Sequence, residues 1–322
     1  MQRFESGASE FPQGCLDKLC DFSGFAPDYF TKPSPEFPNP KGVSFRSLRS
    51  LTAVKREEAM AAGAIAFEFD DWTSVKYDRP QHDLIHPEGV SPAEAAAQLR
   101  AKWGIGLRPI GNVINLLEAH GIRVFSLVEG TRHLDAYSLW RNGTPYIFLN
   151  TTKTAERSRH DACHELGHLV MHRHIGSTHP KAEDEANAFA SAFLMPPDDL
   201  LAETTWGMML DQLITKKKRW GVSVSSLNYA LYKIGRMSEW TYRGNYIALS
   251  KLVQGEDSKE PEPMPHETSQ IWAKIFTDLW SRGISISRIA RELHVPEKQL
   301  NDLLFGIAGK QNIPKERTLT AI

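Results

Sequence analysis

The segment from His164 to His168 has the sequence His-Glu-Leu-Gly-His, an HExxH pattern whose residue types can hold and use a metal ion. Side chains four residues apart lie on one face of an α-helix, so the imidazoles of His164 and His168 can reach the same ion. Neutral imidazole is a preferred ligand of zinc. Glu165 falls on an adjacent part of that surface, where its carboxylate can hold a water molecule and take its proton as a general base. The pattern therefore predicts a catalytic zinc site with one ion per chain.

A catalytic zinc needs a third protein ligand and one open position. The continuation HExxHxxGxxH is absent, because Met171 stands where that pattern has glycine. The next acidic segment begins at Glu183, and Asn187 lies one helical turn later, so one face can offer a carboxylate to the metal and an amide behind a ligand. Glu185 would point to the other side of the helix and is the second candidate. The alternative is that these acids are a solvated helix start favoured by the helix dipole.

Six of the twelve histidines fall between positions 160 and 179, and most of them have an ordinary explanation. His160 and His172 continue the row of the motif, but four side chains in a row cannot all bind one ion, so both are expected at the surface or behind the ligands. His174 and His179 are expected in a loop, and Cys163 in the core. Candidates for an oxyanion or substrate contact are His133, Tyr137 and His172. For the motif itself, the alternative is a solvated helix face with two incidental histidines.

The neighbouring sequence predicts the elements that position the motif. A helix is expected over 155–172, and its apolar residues on the other side would bury it. Gly167 in mid-helix costs about 1 kcal/mol relative to alanine, which indicates a close approach by backbone or substrate. Before the helix, Asn142-Gly143 between β-rich runs predicts a hairpin of 137–140 and 146–149, and a short strand is expected at 122–125.

Helical signals dominate the rest of the chain. Ser91, Pro92 and Glu94 form a helix start, and a proline-rich extended connector precedes a long helix over 44–71 that is broken or kinked near Gly63. The other predicted helices are 13–21, 110–119, 183–194, 208–220, 223–234, 240–252, 268–281, 285–293 and 296–305. We therefore expect a predominantly helical α+β fold with a small three-stranded sheet.

Composition limits the classes of function. The 322 residues carry a net charge of -1, and the sequence pI near 6.9 gives no overall electrostatic case for binding nucleic acid or membranes. Three cysteines do not form a disulfide framework, and the chain shows neither a signal-peptide core nor a run of 18 apolar residues. We expect a cytoplasmic protein without membrane contact, of unknown oligomeric state.

Three segments in order resemble the ImmA/IrrE family of metallopeptidases. They are 137–150 with RNGTPYIFLN, 157–172 with HDACHELGHLVMH, and 183–196 with EDEANAFASAFLMP. The resemblance implies a gluzincin-like zinc protease. Its metal ligands would be His164, His168 and Glu183, with Glu165 as base and Asn187 behind the ligands. It also implies that an edge strand aligns the peptide substrate by strand addition, for which 144–149 is the candidate.

The resemblance further implies a protein substrate, a DNA-bound repressor of the XRE type whose cleavage derepresses prophage, mobile-element or stress genes. The phrases at 5–12 and 45–50 are similar to the long members in which a helix-turn-helix domain precedes the peptidase. Most of that domain would be missing here. The expected parts are 1–43 (remnant and connector), 44–104 (helical arm), 105–204 (zinc metallopeptidase core), 205–253 (helical extension), 254–267 (acidic, proline-rich linker) and 268–322 (C-terminal helical domain).

Two other functions remain open at this point. The chain could be a DNA-binding or partner-binding regulator with a sensory peptidase-like domain, because 208–234 contains the basic run 216–219 and 285–305 has helix-turn-helix rhythm. In the second pair, Lys298, Gln299 and Asn301 could face bases. DNA binding is not favoured, because ordinary helical packing explains both pairs and the total charge is near neutral. The third alternative is a catalytically silent interaction module.

Overall fold

The computed structural model of the chain describes residues 13–38, 52–128, 131, 134–173, 181–254 and 260–309. Within these ranges the fold is predominantly helical with one small three-stranded sheet, which confirms the predicted α+β class. The phrases at 5–12 and 45–50 and the histidines His133, His174 and His179 lie outside the described residues. In the part of the chain that is described, no helix combines the length and apolarity needed to cross a membrane.

Three helices form the N-terminal part: α1 (Gln13–Ser23), α2 (Pro27–Thr31) and α3 (Ala53–Ser74). Helix α2 lies inside the stretch predicted to be extended, and its proline occupies the first turn, where no backbone N–H is needed. Helix α3 continues through Gly63, so the predicted break is wrong. A Cβ atom at Gly63 would lie 2.6 Å from Pro38 Cγ and 3.2 Å from Tyr137 Oη. This glycine therefore allows close packing within an unbroken helix.

Two helices precede the sheet, α4 (Pro92–Lys102) and α5 (Val113–Ala119). Helix α4 starts as the sequence predicts, whereas α5 starts three residues later than the predicted 110, after the cap Asn112. The Ser91 hydroxyl accepts a hydrogen bond from Glu94 N, and the Glu94 side chain accepts one from Ser91 N, which completes a capping box. Helix α4 packs on the helix over 182–194, which follows the helix of the HExxH motif.

The sheet consists of β1 (Arg123–Ser126), β2 (Ala136–Arg141) and β3 (Thr144–Leu149), in the order β1-β3-β2. Strands β2 and β3 form the predicted hairpin, whose turn residues Asn142 and Gly143 have φ values of 49° and 80° as a type I′ turn requires. Strand β1 pairs with β3 in parallel. Strand β3 is therefore central, and the prediction that 144–149 is the edge strand is wrong; β2 and β1 are the edges.

The two faces of the sheet carry two different cores. One face, with side chains such as Ile147 and Leu149, packs on α6 (Ala155–Met171), and α6 packs in turn on α7 (Ala182–Leu194). The opposite face, with Tyr137 and Phe148, packs on α3 and on the C-terminal helices. The remaining helices are α8 (Pro197–Glu203), α9 (Leu210–Lys216), α10 (Val224–Lys233), α11 (Glu239–Leu252), α12 (Gln270–Ser281), α13 (Ile286–Leu293) and α14 (Glu297–Leu303).

The predicted C-terminal helical domain shares its core with the rest of the molecule. Trp272 of α12 lies 5.1 Å from the ring of Phe125 in β1 and 5.3 Å from the ring of Phe69 in α3, measured between centroids. Leu300 and Leu303 of α14 are fully buried in the same cluster. These helices therefore cover the face of the sheet that points away from the metal-binding motif.

The described part of the predicted acidic linker is bound to the fold by its carboxylates. Glu260 accepts a hydrogen bond from Val224 N at the start of α10, at 2.7 Å, and Glu267 accepts one from Val113 N at the start of α5, at 2.9 Å. Glu267 also pairs with the buried guanidinium of Arg159 in α6. Acidic groups at helix N-termini satisfy N–H groups that have no intrahelical partner. This segment thus connects α5, α6 and α10.

Candidate metal centre

Helix α6 presents both histidines of the motif on one side and buries the other. Thr154 caps its start by accepting from Arg157 N, and side chains such as Leu166 and Val170 lie in the core. The Nε2 atoms of His164 and His168 are 3.1 Å apart. His164 is half-buried and His168 is buried. Two nitrogen atoms at this separation can both face one small cation.

Helix α7 brings a carboxylate to the same place. One oxygen of Glu183 lies 3.4 Å from His164 Nε2, and the other lies 3.7 Å from His168 Nε2. One ligand atom from each of the three residues lies within 4.8 Å of the others. A tetrahedral ion at about 2.0–2.2 Å from each ligand separates its ligand atoms by about 3.4 Å. Two imidazoles and one carboxylate therefore fit zinc with one position left for water or substrate.

The intervening Glu165 points toward the sheet. Its side chain is buried, and its Oε2 atom accepts a hydrogen bond of 2.6 Å from the hydroxyl of Ser138 in β2. Ser138 is not among the site residues predicted from the sequence. The signal that could have found it is the alternation of β2, which places Ser138 on the face toward α6 and Tyr137 on the other face.

Two of the predicted contact residues lie elsewhere. Tyr137 is fully buried on the far face of the sheet, where its hydroxyl donates to Ala59 O at 3.0 Å. His172 lies behind His168, with their Nδ1 atoms 3.0 Å apart. Neither side chain is placed to bind an oxyanion, and the third candidate, His133, lies outside the described residues. Asn187 lies where its spacing predicts, with its Oδ1 atom 3.0 Å from His164 Nδ1.

Residues 117–232 match the family model Peptidase_M78, described as IrrE N-terminal-like domain. This part of the chain is similar to the IrrE N-terminal-like domain. The matched range begins within α5, includes the whole sheet together with α6 and α7, and ends in α10. It therefore contains every residue of the site described above, and the family it is similar to is metallopeptidase-like. No curated protein matches the chain.

Gly167 sets the distance between the two helices of the IrrE-like domain that carry the ligands. A Cβ atom at Gly167 would lie 3.2 Å from Ala186 Cα and 3.1 Å from Phe189 Cδ1. These contacts are tighter than ordinary van der Waals distances, so a side chain here would push α7 away from α6. The cost of a mid-helix glycine is thus explained by helix–helix approach, and the approach brings Glu183 to the histidines.

Gly167→Ala should lower the free energy of unfolding by about 1–3 kcal/mol, because the added methyl overpacks the α6–α7 contact. Alanine is the better helix former by about 1 kcal/mol, so helix propensity alone predicts the opposite sign. Gly244→Ala in α11 is the matched control, since no atom lies within 4 Å of a Cβ there; it should stabilise by about 0.5–1 kcal/mol. Urea unfolding measures both. A stabilising Gly167→Ala would contradict the close-packing account.

The two histidines of the motif differ in protonation. Burial, together with the charges of His164 and His172, lowers the pKa of His168 to about 2, which favours the neutral imidazole that a metal ion requires. Burial also tends to lower the pKa of His164, but the hydrogen bond that His164 donates to Glu183 and the charge of Glu165 outweigh it, so the pKa rises above its ordinary value. Without metal, His164 is therefore protonated to a larger extent than His168, and zinc binding must displace that proton.

Zinc binding should release a proton from His164, and more of it at low pH. Below the raised pKa the imidazole is protonated without metal, so release should approach about one proton per zinc near pH 6 and decrease as the pH rises through that pKa. Zinc affinity should fall as the pH is lowered over the same range. Titration calorimetry in buffers of different ionisation enthalpy counts the protons. Equal release at pH 6 and well above the pKa would contradict this assignment.

Proposed function

We propose that the protein is a zinc-dependent endopeptidase that cleaves a repressor-type regulatory protein and so derepresses transcription. The observation that carries the proposal is the convergence of His164, His168 and Glu183 within 4.8 Å, on a helix that also bears Glu165, inside a peptidase-family domain. Three protein ligands with room for a fourth are typical of catalytic rather than structural zinc.

The proposed mechanism assigns a separate task to each residue. A bound zinc ion supplies Lewis-acid activation of water and of the scissile carbonyl. Glu165 takes the proton of the attacking water and delivers it to the leaving amine, as a carboxylate general base and acid. The hydroxyl of Ser138 donates to Glu165 Oε2 and so fixes one carboxylate oxygen. Asn187 holds the His164 ring through its Nδ1 atom.

The substrate is proposed to align along β2. This strand lies at one end of the sheet order, pairs with β3 on its other side, and packs directly on α6. Because Ser138 links the middle of β2 to the proposed base, a peptide added at this edge would run beside the reacting groups. Strand β2 thus takes the role predicted for 144–149.

A comparison of protein N-termini in cells tests the substrate class. Cells expressing the wild type and cells expressing Glu165→Gln should differ in a new N-terminus within a repressor of the XRE type, present only with the wild type. The purified repressor should then be cut by the zinc-loaded wild type alone. Identical N-termini in the two cell cultures would contradict the proposal. Cleavage of the purified repressor by both the wild type and Glu165→Gln would also contradict it.

The side-chain contacts of the basic run 216–219 weaken the alternative of a DNA-binding regulator. Lys217 is buried between Glu156 and Glu260, at 2.9 and 3.2 Å. Each of its neighbours also pairs with an acid: Lys216 with Glu203, Lys218 with Glu262 and Arg219 with Asp199. The buried charge of Lys217 is not available to phosphates, and the acids beside the other three cations weaken the attraction of this run for them.

The side chains of the second helix pair, α13 and α14, also have partners within the fold. Leu300 and Leu303 face the core, Lys298 pairs with Asp302, and the Asn301 side chain accepts from Gly309 N at 2.7 Å. We therefore keep the peptidase as the proposed function and assign it to the cytoplasm, where the three free cysteines, Cys15, Cys20 and Cys163, would stay reduced.

A further inference from the structure

Two side chains behind His168 continue a line of polar contacts away from the ligand atoms. His172 Nδ1 lies 3.0 Å from His168 Nδ1, and His172 Nε2 lies 3.0 Å from an oxygen of Glu185. His172 follows α6 directly, whereas Glu185 belongs to the first turn of α7. The side chain of His172 is 4% exposed and that of Glu185 is 32% exposed. The line therefore runs from the buried ligand to the surface.

The chemistry of imidazole fixes the direction of these hydrogen bonds. A metal ion on Nε2 of His168 leaves the proton on its Nδ1 atom, which must then donate to His172. His172 accepts through Nδ1, so it carries its own proton on Nε2 and donates to the carboxylate of Glu185. Both bonds thus point toward the same carboxylate, and each ring nitrogen has one role.

We propose that His172 and Glu185 are positioning residues that hold the ring of His168 and strengthen it as a metal ligand. A ligating histidine is commonly oriented by a carboxylate on its other nitrogen. Here the carboxylate acts through a second imidazole. The corresponding partner of His164, at its Nδ1 atom, is the neutral amide of Asn187. Two of the three acids of α7 would then have separate roles, Glu183 at the ion and Glu185 behind His168. This inference rests on the proposed metal site but not on its proteolytic activity.

Zinc affinity of the full-length protein, measured by competition with a chromophoric chelator, tests the inference without a substrate. His172→Ala should weaken zinc binding about 10- to 100-fold, and Glu185→Ala should weaken it about tenfold. His172→Gln should retain most of the affinity, because its amide can accept from His168 and donate to Glu185. Asp184→Ala, which removes an exposed acid from the same turn, should leave the affinity unchanged.

The double variant His172→Ala/Glu185→Ala separates a relay from two independent structural effects. If Glu185 acts through His172, the double variant should bind zinc no more weakly than His172→Ala alone. Additive losses would overturn the relay, and so would wild-type affinity in both single variants. A wild type that binds zinc but cleaves nothing would overturn only the proposed function. A wild type that binds no zinc would overturn both. Melting of the metal-free variants identifies any that fail to fold.

Discussion

Glu165→Gln should lower the rate of substrate cleavage by at least about 100-fold while the protein keeps its zinc and its fold. General acid–base catalysis by one side chain contributes about 100- to 10,000-fold, and a carboxamide cannot take a proton from water. Glutamine has the same shape and can still accept the hydrogen bond from Ser138 that Glu165 accepts at 2.6 Å. The measurement is kcat for cleavage of the proposed repressor substrate, together with zinc content by elemental analysis.

The control for this prediction is Asp184→Asn, which removes one negative charge from an exposed position of α7. It should cleave at the wild-type rate. Full activity in Glu165→Gln would show that water activation is assigned to the wrong residue, and loss of zinc together with activity would show that Glu165 has a structural role.

Lys217→Met should lower the free energy of unfolding by about 3–5 kcal/mol, because it leaves a buried carboxylate without its cation. The side chains of Lys217 and Glu156 are 2% and 1% exposed, and their charged atoms are 2.9 Å apart. Solvent therefore screens this pair very little. The neighbour Lys218 pairs with Glu262, but both side chains are more than half exposed. Lys218→Met should consequently change stability by about 0–1 kcal/mol.

Urea unfolding of the two lysine variants provides the comparison. A second substitution, Glu156→Gln, should restore part of the loss in Lys217→Met, since it removes the unpaired charge. Equal and small effects at positions 217 and 218 would contradict the buried ion pair. They would also reopen the interpretation of this basic run as a surface for nucleic acid.

Local signals in the sequence predicted most of the elements. The capping box at Ser91 and Glu94 and the positive φ angles required at Asn142 and Gly143 depend on neighbouring residues only, and the structure contains both. The HExxH spacing likewise depends on the period of a single helix, and it predicted that His164 and His168 face one point. Two short helices were not predicted, α2 and α8, and prolines lie beside both.

Contacts between distant segments could not be predicted in this way. The parallel pairing of β1 with β3 made β3 central, and no local signal indicates a parallel partner. The docking of 260–267 depends on cations and helix starts far away in sequence, such as Arg159. The roles of Ser138 and His172 depend on which side of β2 and α6 each of them occupies, and on where α7 crosses. The HExxH pattern was enough to predict where the metal site lies. The packing of α6 against α7 determines which carboxylate of α7 faces the two histidines.

The metal content of the purified protein tests the central claim most directly. The wild type and Glu185→Ala, both saturated with zinc and then freed of unbound metal, should each retain about one zinc per chain, because Glu185 lies behind the ligands. Glu183→Ala should lose it, since this variant lacks one of the three converging ligands. Zinc retained in Glu183→Ala but lost in Glu185→Ala would reverse the ligand assignment. A wild type that holds no zinc after reloading would contradict the metallopeptidase account as a whole.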